Sequence, residues 1–483
     1  MRLLLLTAAF LASALAQTNQ TQSQTQPQTP TQTPSTPPDT NQQPAAPGAG
    51  SDESIWDRFW LSGQANFIRQ QHGDFYAAYN GPNSFLPFKD HATSRVLTLF
   101  TGIAITRNLE FLFDIEETGG GGLSKTFGLA GFTNLDVVRN PALSQAPYIA
   151  RIMLHDVIPL GKEMEDVTRS PLSLASKMPV RRIELYAGKM GTVDFFDLNS
   201  VGSDSHTQFM NWAADNNPAY DYAADTRGYT YGFVAEYYDK WGAFRFGEML
   251  MPTVANGINL DWNIFHAGGS NFELELHPPV FKNRPSIVRL LAFQNRADMG
   301  LYSRAISEYL SGQAATPDII ATRVQGRIKY GFGVNVEQAI TKDWTAYGRL
   351  GWNDGRTESF AYTEVDRHAS FGSMITGRLW RRPNDKVGET FIADGLSSGH
   401  RRYLQLGGLG FILGDGALTY GLEKIFETYY TIHVFDGASF AVDWQHITDP
   451  GYNEARGPVS VLSFRVNVQE AFPFDRLAKT FKH

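Results

Sequence analysis

The last strand of this chain constrains it most. Leu462, Phe464, Val466 and Val468 alternate with Ser463, Arg465, Asn467 and Gln469, so one face of a strand here suits lipid and the other suits water. From about residue 325 to Phe472, short alternating stretches of this kind follow one another. Repeated around a closed sheet, they describe an all-β, transmembrane antiparallel β-barrel with a polar lumen. A β-sandwich alternates as well, and strand number separates the two. About sixteen strands are counted between residues 57 and 470, with the segment 359–378 ambiguous. An even number of that size is expected of a barrel that encloses an aqueous channel.

The N-terminus fits export. Arg2 is followed by an apolar run from Leu3 to Phe10 and then by Ala14-Leu15-Ala16, a small-residue cleavage pattern, which reads as a signal peptide over residues 1–16. No later stretch offers the roughly 18 apolar residues that a membrane helix needs. The exported chain is therefore either soluble or crosses a membrane as strands, which predicts the outer membrane of a Gram-negative-type bacterium. Residues 17–52 are built from Gln, Thr, Pro, Ser, Asn and Ala with almost no charge; they cannot bury a core and are expected to be a disordered spacer or tether. Residues 53–472 form the expected barrel, and 473–483 a C-terminal tail.

Composition excludes more than it selects. The chain has no cysteine, hence no disulfide framework and no thiolate metal site. A net charge of -7 and a pI near 5.9 give no reason to expect nucleic-acid binding. The 33 Phe, 20 Tyr and 9 Trp suit a lipid-facing band and its interfacial girdles.

Strand parity assigns the lumen. Glu110, Asp114 and Glu116 oppose Leu109, Phe111, Phe113 and Ile115, and Arg182 and Glu184 oppose Ile183 and Leu185. Lys329 and Glu337 oppose Tyr330, Phe332, Val334 and Val336, while Arg349 and Asn353 oppose Leu350 and Trp352. Glu427, Asp443 and Arg465 fall on the polar faces of the last three strands. These twelve are the expected pore-lining and substrate-binding residues, and Arg349 and Glu337, on adjacent strands, are candidates for the constriction. Their charges have both signs. Such a wall can both donate to and accept from the hydroxyls of an uncharged solute.

Two segments break the strand rhythm, residues 117–147 and 192–228. Both are too aromatic for disorder, and a loop folded into the lumen would bury such residues and narrow the pore. Asp194, Asp197, Asn211, Trp212, Asp221, Asp225 and Arg227 are the constriction candidates on the second. Carboxylate pairs such as Glu116-Glu117 or Asp194 with Asp197 can be imagined as a glycosidase pair, and Asp204, His206 and Asp221 as metal ligands. Both patterns are common in loops that cap turns, so no catalytic residue, metal or cofactor is assigned. Gly119 to Gly122 lacks the Lys-Ser/Thr of a phosphate loop. Trp212 could stack on a sugar, whereas Trp352 falls on the apolar face and reads as a girdle residue.

These loops carry a family likeness. Tyr79-Asn80-Gly81-Pro82-Asn83-Ser84, Gly128-Leu129-Ala130-Gly131-Phe132, Gln208-Phe209-Met210-Asn211-Trp212 and Asp221-Tyr222-Ala223-Ala224-Asp225-Thr226-Arg227-Gly228-Tyr229 occur in order. They are followed by Gly351-Trp352-Asn353-Asp354-Gly355, Thr363-Glu364-Val365-Asp366, Gly414-Asp415-Gly416 and Arg456-Gly457-Pro458-Val459. In these words the chain resembles the carbohydrate-selective porins of the OprB type, from about Trp60 to Phe472. The resemblance implies a sixteen-stranded outer-membrane channel, monomer or homotrimer, that passes monosaccharides such as glucose through a constriction of inward-folded loops. The chain departs from the family at Ser205-His206, where a Pro-Arg pair is common, and in the tail that follows Phe472. A general or ion-preferring porin and a secreted β-rich glycosidase are the alternatives.

Overall fold

The computed structural model describes residues 58–137, 143–281, 284–360 and 362–472. The expected signal peptide, spacer and C-terminal tail lie outside them. Its strands are β1 (Phe59–His72), β2 (Asp90–Ala104), β3 (Leu109–Gly120), β4 (Tyr148–Pro159), β5 (Met164–Asp166), β6 (Lys177–Pro179), β7 (Arg182–Met190), β8 (Thr230–Asp239) and β9 (Gly242–Leu250). They continue with β10 (Gly268–Leu276), β11 (Ser286–Met299), β12 (Val324–Ala339), β13 (Trp344–Asn353), β14 (Arg367–Thr376), β15 (Lys386–Gly395), β16 (Glu423–Phe435), β17 (Ala438–Thr448) and β18 (Val459–Ala471). β5 and β6 pair only with each other. The other sixteen close into one antiparallel barrel in which β18 pairs back onto β1. Closure leaves no sheet edge, so every strand finds its backbone partners inside the wall.

Parity decides which residues face lipid. Phe332, Leu350 and Phe371 are 53%, 58% and 63% exposed on the outside, while their neighbours Lys329, Arg349 and His368 are buried inside. Outward aromatics on adjacent strands pack against one another, as in the chain Phe371, Phe391, Phe426 and Trp444. Trp352 lies outside with Tyr330 and Phe332, on the apolar face to which parity assigns it. No helix among the described residues is long and apolar enough to cross a membrane.

One boundary differs from the sequence reading. The first insertion was expected to begin at Glu117, but β3 runs on to Gly120, with Glu117 held by Arg95 at 2.7 Å. Gly119 lies directly beneath that guanidinium, where a Cβ would come within 2.5 Å of it. The glycines here thus serve close packing on a strand end as well as the loop that follows.

Apart from the β4–β7 connection, which carries β5 and β6, the long connections leave one end of the barrel, and several of them fold inward. The apolar core consequently sits in the lumen. Phe132, Phe195, Phe196, Trp212, Tyr220, Tyr222 and Tyr362 are all buried there, packed on strand residues such as Leu112, Met153 and Phe293. Ordering such a loop costs roughly 1–2 kcal/mol per residue, more than hydrogen bonds worth about 1 kcal/mol each return. Apolar side chains contributing roughly 1.5–3 kcal/mol apiece on burial are what make the inward fold hold.

Candidate functional site

The loop between β7 and β8, residues 191–229, lines the inside of the barrel and is gripped by inward charges on nearly every side. Arg151 of β4 holds Asp194 through two contacts of 2.6 and 2.8 Å and also meets Asp114 at 3.3 Å. Arg349 pairs with Asp197 at 3.0 Å and donates to the carbonyl of Ala214 at 2.9 Å. Lys329 pairs with Asp221 at 3.0 Å, and Asp221 accepts from the backbone of Phe360. Glu337 accepts from Ser200 N at 2.6 Å, and Glu427 from Met210 N at 2.6 Å and Asn211 N at 3.2 Å. Asn353 donates to Ala219 O, and Asn211 to Gln445. Every one of these strand residues points inward as parity requires. Their side chains meet loop, and the loop covers them.

The remaining candidates are also placed. Glu110 and Glu184 clasp His155 from both ring nitrogens at 3.0 and 2.9 Å, with Arg182 on Glu184 at 2.6 Å. Glu116 accepts the hydroxyls of Tyr148, Tyr229 and Thr98. Asp225 caps the turn at Arg227 and Tyr229, and burial, opposed by Lys189 and the backbone donors, pushes its carboxyl up to about 6. Arg227 lies over the Tyr148 ring. Trp212, the candidate for sugar stacking, is packed between Tyr362 and Phe132, so its faces are already occupied. His206 sits 3.4 Å from Asp136 and 3.7 Å from Asp204, whereas Asp221 is engaged by Lys329.

On β16, β18 and β1 some buried polar groups have no hydrogen-bond partner in the protein. Arg465 on β18 donates one Nη to Ser205 O at 2.7 Å, but its Nε and other Nη have no hydrogen-bond partner in the protein. Neither has the Tyr429 hydroxyl, Gln64 Nε2 or Ser62 Oγ. Register orders these groups. Tyr429 faces Asp443, which faces Ser463, across β16 to β18. Below Arg465, Asn467 faces Asn66, Gln469 faces Gln64 and Ala471 faces Ser62 along β18 and β1. An unpartnered buried polar group costs about 1–3 kcal/mol; Tyr429, Arg465, Gln64 and Ser62 carry such groups, while Asn66 between them donates to Asp136 and accepts from Asn467. Parity flagged Arg465 and Asp443; Gln64, Asn66 and Tyr429 lay on faces read from the sequence without being singled out.

The family words occupy the loop ends. Ser84 and Asn453 both donate to Asp415, and Arg456 donates to Asn80 and to two backbone carbonyls, tying the β1–β2, β15–β16 and β17–β18 connections together. A Cβ on Gly81 would meet the backbone of residues 414–416 within 2.7 Å. Glu364 accepts from Ile412 N and Leu413 N, while His400 bonds Asp366 at 3.1 Å and lies 3.5 Å from Glu364. Burial alone would lower the His400 pKa, but Asp366 and Glu364 outweigh it and raise it to about 9. Burial likewise opposes the Asp366 charge, yet His400 and Lys329 bring that carboxyl down to about 2. The clamp is therefore fully present between about pH 4 and 6.5, weakens as pH rises through 9, and weakens as pH falls towards 2. Limited proteolysis of the folded protein is expected to cut residues 396–422 faster above pH 9 than at pH 6.5. His400→Asn should show the fast rate at both pH values; equal rates for wild type at both pH values would refute the clamp.

A closed sixteen-stranded barrel whose lumen is narrowed by inward loops and lined with charged and amide side chains defines a channel of the outer-membrane porin class. The family model for the carbohydrate-selective porin, OprB family, matches residues 92–469, and the chain belongs to that family. Among solved structures, the high-pH structure of Pseudomonas putida OprB is similar at 14% identity, covering 86% of this chain and 94% of that one, with a TM-score of 0.62. The low-pH structure of the same protein matches at 11% identity over 86% and 93%, with a TM-score of 0.46. The outer-membrane channel DcaP of Acinetobacter baumannii matches at 9% over 85% and 97%, with a TM-score of 0.45. At such identities the likeness concerns the fold alone. No curated protein matches. Family and fold point to transport rather than catalysis.

Proposed function

We propose that this chain is a passive channel for monosaccharide-sized sugars such as glucose, carrying them across the outer membrane of a Gram-negative-type bacterium into the periplasm. The observation that carries this reading is the mixed polar lining of β16, β18 and β1, where Tyr429, Arg465, Gln64 and Ser62 keep donors or acceptors without a partner in the protein. A sugar hydroxyl both donates and accepts, so it can exchange partners step by step along such a lining. Each contact must stay weak, because conduction needs exit as well as entry. The charges elsewhere in the lumen are largely consumed by the inward loop and by one another, which favours a hydrogen-bonding selector over an ionic one.

The protein is expected to float with outer membranes and to run as a heat-modifiable barrel; recovery from the soluble periplasm would end this reading. Liposomes containing it should swell in glucose faster than in equal-sized charged solutes, and glucose should block single-channel ion current in a saturable way. Equal swelling rates without sugar block would favour a general porin, the reading supported by the mixed charges of the lumen.

A further inference from the structure

The connection from β4 to β7, residues 160–181, is the longest at the end of the barrel opposite the inward loop 191–229. It is one hairpin: Leu160 N donates to Arg181 O at 2.9 Å, Val180 N to Glu163 O at 2.9 Å and Val167 N to Ser176 O at 3.0 Å, and Ser170 and Ser173 close the tip. The tip turns into the barrel. Trp60, Gly102, Leu112 and Met153 face one another in register across β1 to β4, all on inward faces, and Leu174 is buried on this row. A Cβ on Gly102 would come 3.1 Å from both δ-carbons of Leu174, so the glycine leaves the room that the leucine fills. Beyond it, Arg169 donates to Phe59 O at 3.2 Å, and its guanidinium lies 5.3 Å from the centre of the Trp60 ring.

A second inward row, one step nearer that end, latches the hairpin. Glu110, His155 and Tyr186 face one another across β3, β4 and β7. His155 bonds both Glu110 and Glu184 through its two ring nitrogens. Glu110 also accepts from Leu174 N at 3.0 Å, near the hairpin tip. Glu184 holds Arg182, which reaches Glu165 at 2.7 Å and donates to Pro179 O at 2.9 Å, near the hairpin base. Tip and base are thus tied to one imidazole. Tyr186 stacks on His155 with ring centres 4.2 Å apart and meets Phe195 of the inward loop at 4.7 Å, so the hairpin follows that loop on the way out of the channel.

We propose that residues 160–181 form an exit strap, a second narrowing that sets the size limit for neutral solutes leaving the channel, with His155 as its positioning residue. The strap reaches five neighbouring strands, β7, β4, β3, β2 and β1, from inside the mouth. Side chains held there take cross-section from the opening, and pore diameter is what sorts uncharged solutes of different size. The proposal rests on the channel reading above, with the long connections facing outward as barrels of this class place them.

The test is liposome swelling and single-channel current with the full-length protein, using glucose and the trisaccharide raffinose as probes. Wild type is expected to admit glucose readily and raffinose hardly at all. Leu174→Asp sets a carboxylate beside Glu110 and should lift the strap from the mouth, whereas Leu174→Met keeps an apolar side chain of similar size and should behave as wild type. The Asp variant should raise raffinose swelling about tenfold and conductance about twofold, with glucose block of the current retained. His155→Ala, which releases Glu110 and Glu184 together, should move the size limit the same way. If Leu174→Asp does not assemble into a heat-modifiable barrel, Arg169→Ala decides in its place, because that side chain is half-buried and outside the strand ladders. An unchanged size limit with lowered heat stability is what a mere brace predicts, and it would overturn the strap. A wild-type limit in His155→Ala alone would overturn its positioning role. Failure of the channel reading would appear instead as a wild type that passes neither ions nor glucose.

Discussion

Replacing Arg349 by methionine is expected to open the channel. The Arg349 guanidinium pairs with Asp197 and also donates to the carbonyls of Ala214, Asp197 and Asp215, all buried. Removing one partner of such a pair leaves the other charge without compensation, at a cost of about 3–5 kcal/mol. The barrel wall does not depend on these contacts, since its ladders close without them. The strain therefore falls on the loop, and residues 197–217 should detach from β12 and β13. Single-channel conductance should rise about twofold or more, with sugar block largely lost. From parity alone, Arg349 reads as a charge exposed to solute, and its loss would shift ion preference towards cations. The geometry instead makes it an anchor, for which the larger effect is on pore size. A variant with intact heat-modifiability, unchanged conductance and unchanged block would show that the other anchors, Glu337, Glu427 and Lys329, hold the loop without it.

Arg465→Met is expected to weaken glucose block by about ten- to hundredfold while changing conductance much less. A hydrogen bond to a charged group contributes about 1.5–3 kcal/mol, and each 1.4 kcal/mol is tenfold in affinity. Arg465 also holds Ser205 O, so a loop effect must be separated from a lost contact. Tyr429→Phe makes that separation, because the Tyr429 hydroxyl has no protein partner and its ring is packed against Phe209. It should weaken block by about threefold or more with no change in conductance, and Thr390→Val, on the adjacent strand β15 with its hydroxyl bonded to Tyr347, should leave block as it is. If Arg465→Met and Tyr429→Phe both bind sugar as wild type does, the solute path runs along a different wall.

By itself the sequence determined the barrel. Side-chain alternation at a period of two is a local property, so Ser463, Arg465 and Asn467 on one face and Phe464 and Val466 on the other assign lumen and lipid without knowledge of any partner strand. The same rule placed Lys329, Glu337, Arg349 and Glu427 inward and Trp352 outward, and turn residues delimited about sixteen strands, with 359–378 ambiguous, of which sixteen close. The inward loops were legible too, because aromatic residues in segments as long as 192–228 must be buried somewhere. What only the tertiary structure decided was which inward groups are spent. Arg349 with Asp197 and Lys329 with Asp221 join residues more than a hundred positions apart, and no local pattern reports such pairing. Trp212 is withdrawn into a stack with Tyr362 for the same reason. The unpartnered groups of Tyr429, Arg465, Gln64 and Ser62 likewise emerge only once the contacts of the folded loop are known. Parity says where a side chain points, and closure of the barrel around its own loops says what it meets there.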